Sequence, residues 1–167
     1  YTNFELIIVD DCSDNETNQL LKNFESKDKR IKLYFNKSNR GPTYTFNKGL
    51  YLASTNFIAR MDSDDISHPQ RLQTQVEFLM KNSNVFVVGT GVNFINEQDE
   101  IIRSLCFKKE QKEILNVLKY TTPLINSSFM ANTNKKTKKL LYLKKIFYPA
   151  DDYYSWYRIV EEKKILT

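Results

Sequence analysis

The chain has 167 residues, 41% hydrophobic and 13% aromatic, which suits one folded domain with a real core and excludes general disorder. Its net charge of +5 is mild enough that no nucleic-acid partner is expected, and its longest apolar runs, FELIIV and NVFVVGTGV, fall far short of the roughly 20 residues that span a bilayer. Cys12 and Cys106 have neither a CxxC partner nor a neighbouring histidine, so a disulfide framework or thiolate metal site is not expected and a reducing, cytoplasmic setting is the default.

In chain order, FELIIVDD is a β-branched apolar run closed by acids, a buried strand. SDNETNQLLKNF then predicts a helix opened by a Ser13/Glu16 capping box, with Leu20, Leu21 and Phe24 on its apolar face. RIKLYFN alternates Ile31, Leu33 and Phe35, a second strand, and the NRGP turn at 39–42 leads to Phe46, Gly49, Leu50 and Ala53 at helical spacing. NFIARM is a third strand, and Pro69 marks the start of a helix carrying Leu72, Val76, Leu79 and Met80 on one face. NVFVVGTG and NFIN are further strands, with NEQDE as a hairpin turn. Beyond residue 105 a helix at KEQKEILNVLKY, a strand at INSSFMAN and a last helix from Asp151 complete the pattern. Alternating strands and helices imply an α/β layered domain with a largely parallel sheet. The lysines at 135, 136, 138, 139, 144 and 145 read most simply as a solvated helix face; the sharper reading is peripheral contact with an anionic membrane or a phosphate-bearing ligand.

The chemistry gathers in Asp62, Asp64 and Asp65. Two unit charges about 4 Å apart repel by roughly 4 kcal/mol at an effective dielectric near 20, so such a cluster calls for solvent or a cationic partner. Were 62–64 extended, the strand period would put Asp62 and Asp64 on one side, where two carboxylates suit Mg²⁺ or Mn²⁺ with water and substrate phosphates completing the shell. An EF-hand is excluded, because its third ligand position falls on Ile66 and its glycine on Ser67. In open α/β sheets ligands gather at the carboxyl ends of strands, where both Asp10/Asp11 and the 62–65 cluster are expected, so the two clusters are expected to face one crevice. His68, the one histidine, cannot build a Ser/His/Asp triad and reads as a loop residue. Tyr153 and Trp156 read as core residues before sugar-stacking ones.

The blocks FELIIVDDCSDNET, NRGPTYTFNKGLYLASTNFIARMDSDDISHPQRL and YPADDYYSWYRIV, in this order, resemble the signatures of family 2 glycosyltransferases with the GT-A (Rossmann-like) fold. The resemblance implies one glycosyltransferase-like domain over 1–167, with a nucleotide-sugar-binding part at 1–105 and an acceptor and base part at 106–167. It implies metal-dependent, inverting transfer from a nucleoside diphosphate sugar, UDP-linked by preference, to a glycan or other acceptor hydroxyl in glycan biosynthesis. It places Asp11 on the donor base beside Asp10, and Arg40, Gly41, Asn47 and Gly49 around or beneath the donor. In the DxD-type motif it places Asp62 on ribose or metal and Asp64 on the metal, Mn²⁺ or Mg²⁺, with Asp65 supporting the loop. Asp152, four residues before Trp156, becomes the catalytic base, and Asp151 its fallback. The plainer role for both is helix N-terminal capping.

Family members carry an apolar strand and helix ahead of ELIIVDD, and many have a histidine near Asn126. The reading therefore expects a chain truncated at its N-terminus, with a sheet edge open to another chain, an oligomeric contact. Two other readings compete. One is a catalytically silent, nucleotide-binding module of the same type. The other is a phosphoacceptor receiver domain, for which the Lys-Pro pair is missing and Pro69 falls at the wrong distance from Asp62.

Overall fold

The computed structural model describes residues 1–106, 111–134, 136–162 and 165–166. Contacts divide the chain into two compact units: 1–54 with 142–151, and 55–141 with 152–167. Lys109 and Glu110, where the fourth helix was expected to open, and Lys135 of the lysine segment lie outside the described residues.

In the first unit, β1 (Leu6–Asp10) and β2 (Ile31–Phe35) run parallel, with Leu6 opposite Ile31 and Asp10 opposite Phe35. Between them α1 (Asn15–Lys27) is capped by Asp14, whose carboxylate accepts the Thr17 N–H at 2.8 Å. The cap is thus one residue later than the Ser13 box, because Asp14 is the acid whose oxygen lies three residues before a free first-turn N–H. Of the expected apolar face only Leu21 is half-buried; Leu20 and Phe24, four residues apart on one stripe, are half exposed. Glu25 of α1 accepts the Leu33 N–H at 2.9 Å, occupying a donor on the outer edge of β2. Helix α2 (Pro42–Leu52) starts at Pro42, as a proline at the first helical position favours. At Gly49 an added Cβ would lie 3.5 Å from the Val9 side chain, an ordinary contact distance, so α2 packs directly on β1 here.

In the second unit the main sheet has the order β3 (Phe57–Ala59), β7 (Met130–Asn132), β4 (Val85–Val88), β8 (Ile165–Leu166). Strand β7 is antiparallel to β3 and β4, while β4 and β8 are parallel. Val85, Phe86 and Val87 are all buried, the mark of a strand covered on both faces. Strands β5 (Val92–Ile95) and β6 (Ile101–Leu105) form an antiparallel hairpin around the expected NEQDE turn. Helix α3 (Arg71–Lys81) begins two residues after Pro69, because the Arg71 N–H closes a turn onto His68 O at 2.9 Å first. It buries Val76 and Leu79 but leaves Met80 69% exposed, against the expected face.

Helix α4 (Gln111–Leu118) and helix α5 (Asp151–Glu161) complete the elements, Asp151 belonging to the first unit and the rest of α5 to the second. Ile114, Phe129, Trp156 and Ile159 extend the core, Phe129 and Trp156 meeting edge to face at 5.3 Å. INSSFMAN yields only the three residues of β7, since 126–128 turn as a 3-10 helix. The lysine segment holds two short 3-10 turns, Lys138–Leu141 and Lys145–Phe147, rather than an α-helical face.

Candidate functional site

In the first unit, Asp10 ends β1 and is buried. Its Oδ2 accepts the N–H groups of Cys12 and Ser13, each at 3.0 Å, and holds Cys12 at φ 70°, a left-handed backbone that a non-glycine residue adopts only when fastened. Asp11 points into a different set of donors. Its Oδ1 accepts from Asn36 Nδ2 at 2.7 Å and from the Arg40 N–H at 2.9 Å, and its Oδ2 accepts the Gly41 N–H at 2.7 Å. Desolvation acts to raise the Asp11 pKa, but these bonds and the Thr45 hydroxyl outweigh it and leave the carboxyl below its ordinary value. A carboxylate offers about four lone-pair sites, and these bonds hold Asp11 in place as an ionised acceptor.

Gly41 sits at φ 84°, the left-handed region where a side chain is strained, and this conformation turns its N–H towards Asp11. Asn36, which no motif in the sequence singles out, is buried, and its Oδ1 accepts from Lys48 Nζ at 2.8 Å. A cleft of about 290 Å³ opens here, lined by Phe35, Asn36, Lys37, Arg40, Tyr44 and Lys48, with the Arg40 guanidinium 4.4 Å over the Tyr44 ring. Asn47 makes a two-way pair with the Leu143 backbone, donating to its carbonyl and accepting its N–H, both at 2.9 Å. Thr43 donates to Asp151 Oδ2 at 2.6 Å, both residues being buried. Asn47 and Asp151 therefore fasten 142–151 to α2.

In the second unit, residues 62–65 form a turn, with the Asp65 N–H on Asp62 O at 3.3 Å, and β3 has already ended at Ala59. The strand period thus does not align Asp62 with Asp64. The cations the cluster asks for are two arginines. Arg60 Nε meets Asp62 Oδ1 at 3.2 Å. Arg71 lies near Asp65; burial lowers its pKa and Asp65 opposes that shift. The Arg71 guanidinium also donates to Arg60 O at 2.5 Å and to Gln75 Oε1 at 3.2 Å, and Gln75 donates to Ser128 O at 2.9 Å. This prop beneath the turn joins residues far apart in sequence, which no spacing rule finds. Asp64 and Asp65 are exposed. Among the described residues no group of three or more His, Cys, Asp or Glu converges as a metal site. The donors fit a hard cation that takes one or two carboxylates and draws its other ligands from water and substrate phosphate.

Asp152 is half-buried and its Oδ1 accepts the Tyr153 N–H at 2.6 Å, a bond of the first turn of α5. His68 is a loop residue, its Nδ1 accepting the Gln70 N–H at 3.3 Å. Trp156 is core, as the plainer reading expected, whereas Tyr153 is only half-buried and donates to Leu118 O at 2.6 Å.

This α/β arrangement is the GT-A fold, shared at TM-score 0.68 with a mannosyltransferase of Pyrobaculum calidifontis solved with GDP-Man and Mn²⁺, and at 0.69 with Staphylococcus aureus TarS residues 1–349. The first is 18% identical and the second 21%, over 97% and 94% of this chain and 44% and 46% of theirs. The chain belongs to glycosyl transferase family 2, whose profile matches residues 1–141. It is 37% identical over 131 residues to the bifunctional glycosyltransferase pgtA of Dictyostelium discoideum, covering 76% of this chain and 17% of that protein. It is 31% identical over 163 residues to the O-antigen biosynthesis glycosyltransferase WbnJ of Escherichia coli, covering 97% of this chain and 62% of that one. The chain thus spans less than two thirds of these relatives. Family membership removes the receiver-domain reading.

Proposed function

We propose that the chain carries out metal-dependent, inverting transfer of a sugar from a nucleoside diphosphate sugar to an acceptor hydroxyl in glycan biosynthesis, in a cytoplasmic setting. The observation that carries this reading is the acidic turn, with Asp62 and Asp64 on oxygen-donor chemistry after β3, in a chain of this family. The Pyrobaculum calidifontis structural neighbour bears GDP-Man and Mn²⁺, which supports the donor class and the cation. The uridine diphosphate sugars are the first donors to assay.

In this scheme Asp11, fastened and ionised, accepts an N–H of the donor base, and Arg40 and Gly41 shape the base pocket, with Asp10 fixing the turn behind them. Asn47 acts as a positioning residue for 142–151. Asp62 contacts the ribose or the metal and Asp64 the metal. A bound Mn²⁺ or Mg²⁺ would offset the charge that builds on the leaving diphosphate. Asp152 takes the acceptor proton as the acceptor oxygen bonds to the sugar carbon and the carbon–oxygen bond to the diphosphate breaks, one displacement that inverts the centre. Asp151, spent on Thr43, is the weaker candidate for that role.

The test is incubation with Mn²⁺ and a panel of nucleotide sugars, with Asp64→Ala and Asp152→Asn alongside. Metal-dependent donor binding should fall at least tenfold in the first, and transfer should fall by about 10² or more in the second while donor binding stays near normal. Transfer unchanged in Asp152→Asn removes it as the base, and donor binding without turnover by the unaltered chain supports the silent module instead.

A further inference from the structure

The segment between the two fastenings of the first unit has a surface that the transfer reaction does not use. Leu143 is gripped from both sides by Asn47, and Asp151 is held by Thr43. Between these points the backbone closes three successive turns: Phe147 N–H to Lys144 O at 3.0 Å, Tyr148 N–H to Lys145 O at 3.0 Å, and Ala150 N–H to Phe147 O at 2.7 Å. The loop is pinned at both ends and hydrogen-bonded along its length. Its tip nevertheless presents apolar side chains to solvent: Ile146 is 85% exposed, Tyr148 59% and Phe147 39%. Scattered exposed apolar residues need no explanation, but three in a row on a braced turn directly after Lys144 and Lys145 do.

We propose that Lys144–Tyr148 is a membrane-docking tip that inserts Ile146 and Phe147 into the headgroup boundary of an anionic bilayer, with Lys144 and Lys145 on the lipid phosphates and Tyr148 at the interface. The chemistry matches in each part. Basic residues beside a membrane are drawn to anionic lipid, and short apolar groups gain by leaving water at the acyl boundary. An aromatic ring with a hydroxyl suits the wet edge of that boundary. Among the described residues no helix is long and apolar enough to cross a membrane, and the contact made by this tip is an interfacial one. The charge selects the occupant: an apolar protein groove would not require two adjacent lysines, whereas an anionic lipid surface does. Peripheral docking would also bring the chain to acceptors that are themselves held in a membrane.

The test is co-sedimentation of the chain with vesicles of phosphatidylcholine containing about one-third phosphatidylserine, against pure phosphatidylcholine. Partitioning to the anionic vesicles should exceed that to the neutral ones by at least tenfold and weaken as salt rises. The pair Lys144→Glu/Lys145→Glu should lower it by about tenfold or more, and so should the pair Ile146→Ser/Phe147→Ser, which leaves the charge intact. As a control, Lys27→Glu/Lys29→Glu changes the same charge elsewhere on the unit and should keep partitioning within about threefold. Any one of three results overturns the proposal: no sedimentation of the unaltered chain, full partitioning by the serine pair, or an equal loss in the control pair. The result does not depend on turnover, so a chain with no transferase activity gives the same answer.

Discussion

A carboxylate that accepts three or more hydrogen bonds stays ionised below its ordinary pKa, and Asp11, Glu5 and Asp28 of the first unit are such groups. No motif marks Glu5. Its Oε1 accepts from the Ser54 N–H at 2.8 Å and the Ser54 hydroxyl at 2.6 Å, and its Oε2 meets Lys32 Nζ at 2.5 Å. Burial acts to raise the Glu5 pKa, but Lys32 and Ser54 outweigh it and bring it from 4.5 to about 2. A depressed carboxyl pKa stabilises the fold above the unfolded value, and that contribution is lost as pH falls through the folded one. At about 1.4 kcal/mol per unit the shift is worth about 3 kcal/mol, reduced to about 2 by the solvent around the half-exposed Lys32. Glu5→Gln should therefore be less stable than the parent near neutral pH and converge on it between pH 4.5 and 2. Urea midpoints taken across that range check this, and two parallel curves would refute it. Asp11 shifts in the same direction, so some acid sensitivity should persist in the variant.

At the scale of the elements, α2 does most to organise the first unit. It starts from Gly41 on Asp11, buries Leu50, closes on β1 through Gly49, and holds Leu143 and Asp151 through Asn47 and Thr43. Asn47→Ala removes both bonds to Leu143 and leaves a half-buried carbonyl and N–H unmatched, so it should cost about 1–3 kcal/mol. Asn47→Asp keeps the acceptor for the Leu143 N–H but faces its carbonyl with a charge, so it should recover little of the loss. A denaturant midpoint for each variant checks the ordering, and equal stability of all three chains sinks it.

Which elements the sequence made legible follows from where their signals lie. The strand β1 and the turn at NEQDE depend on a local apolar run and on turn residues and lie where those signals put them, although β1 is half-buried rather than buried, and Pro42 of the expected NRGP turn already opens α2. The start of α3 lies later than expected, because the two residues after Pro69 are used by a turn onto His68 before the helix begins. The strand β7 shrank because 126–128 turn as a 3-10 helix, where Ser128 Oγ donates to Ile125 O at 2.8 Å. The same logic divides the site. Asp11, Gly41 and the 62–65 acids are marked by local motifs, but Asn36 and the Arg71–Gln75 prop meet the acids only through the register of the folded chain.

Considered whole, the two units are built from different materials. Of the buried apolar residues, Leu50 and Leu143 alone belong to the first unit, while the second holds Leu79, Val87, Ile114, Phe129, Trp156, Ile159 and others. Burying one such side chain is worth about 1.5–3 kcal/mol, so the second unit carries the larger apolar stabilisation and the first relies on polar pairs such as Glu5 with Ser54 and Asn47 with Leu143. Protection of backbone amides against hydrogen exchange should therefore be highest in β4 and β7 and lower in β1 and β2. If Asp11 accepts the donor base, a nucleoside diphosphate binds a unit with little stability of its own. Mass action adds about 2.7 kcal/mol at a ligand concentration 100 times the Kd, and it adds that to the unit that holds the ligand. Saturating uridine diphosphate should slow exchange at Ile7, Ile8, Leu33 and Tyr34 by up to about 100-fold, in proportion to occupancy. Asp11→Ala should lose that effect while β4 keeps its protection. An increase of the same size in β4 and none in β1 and β2 would place the nucleotide away from Asp11.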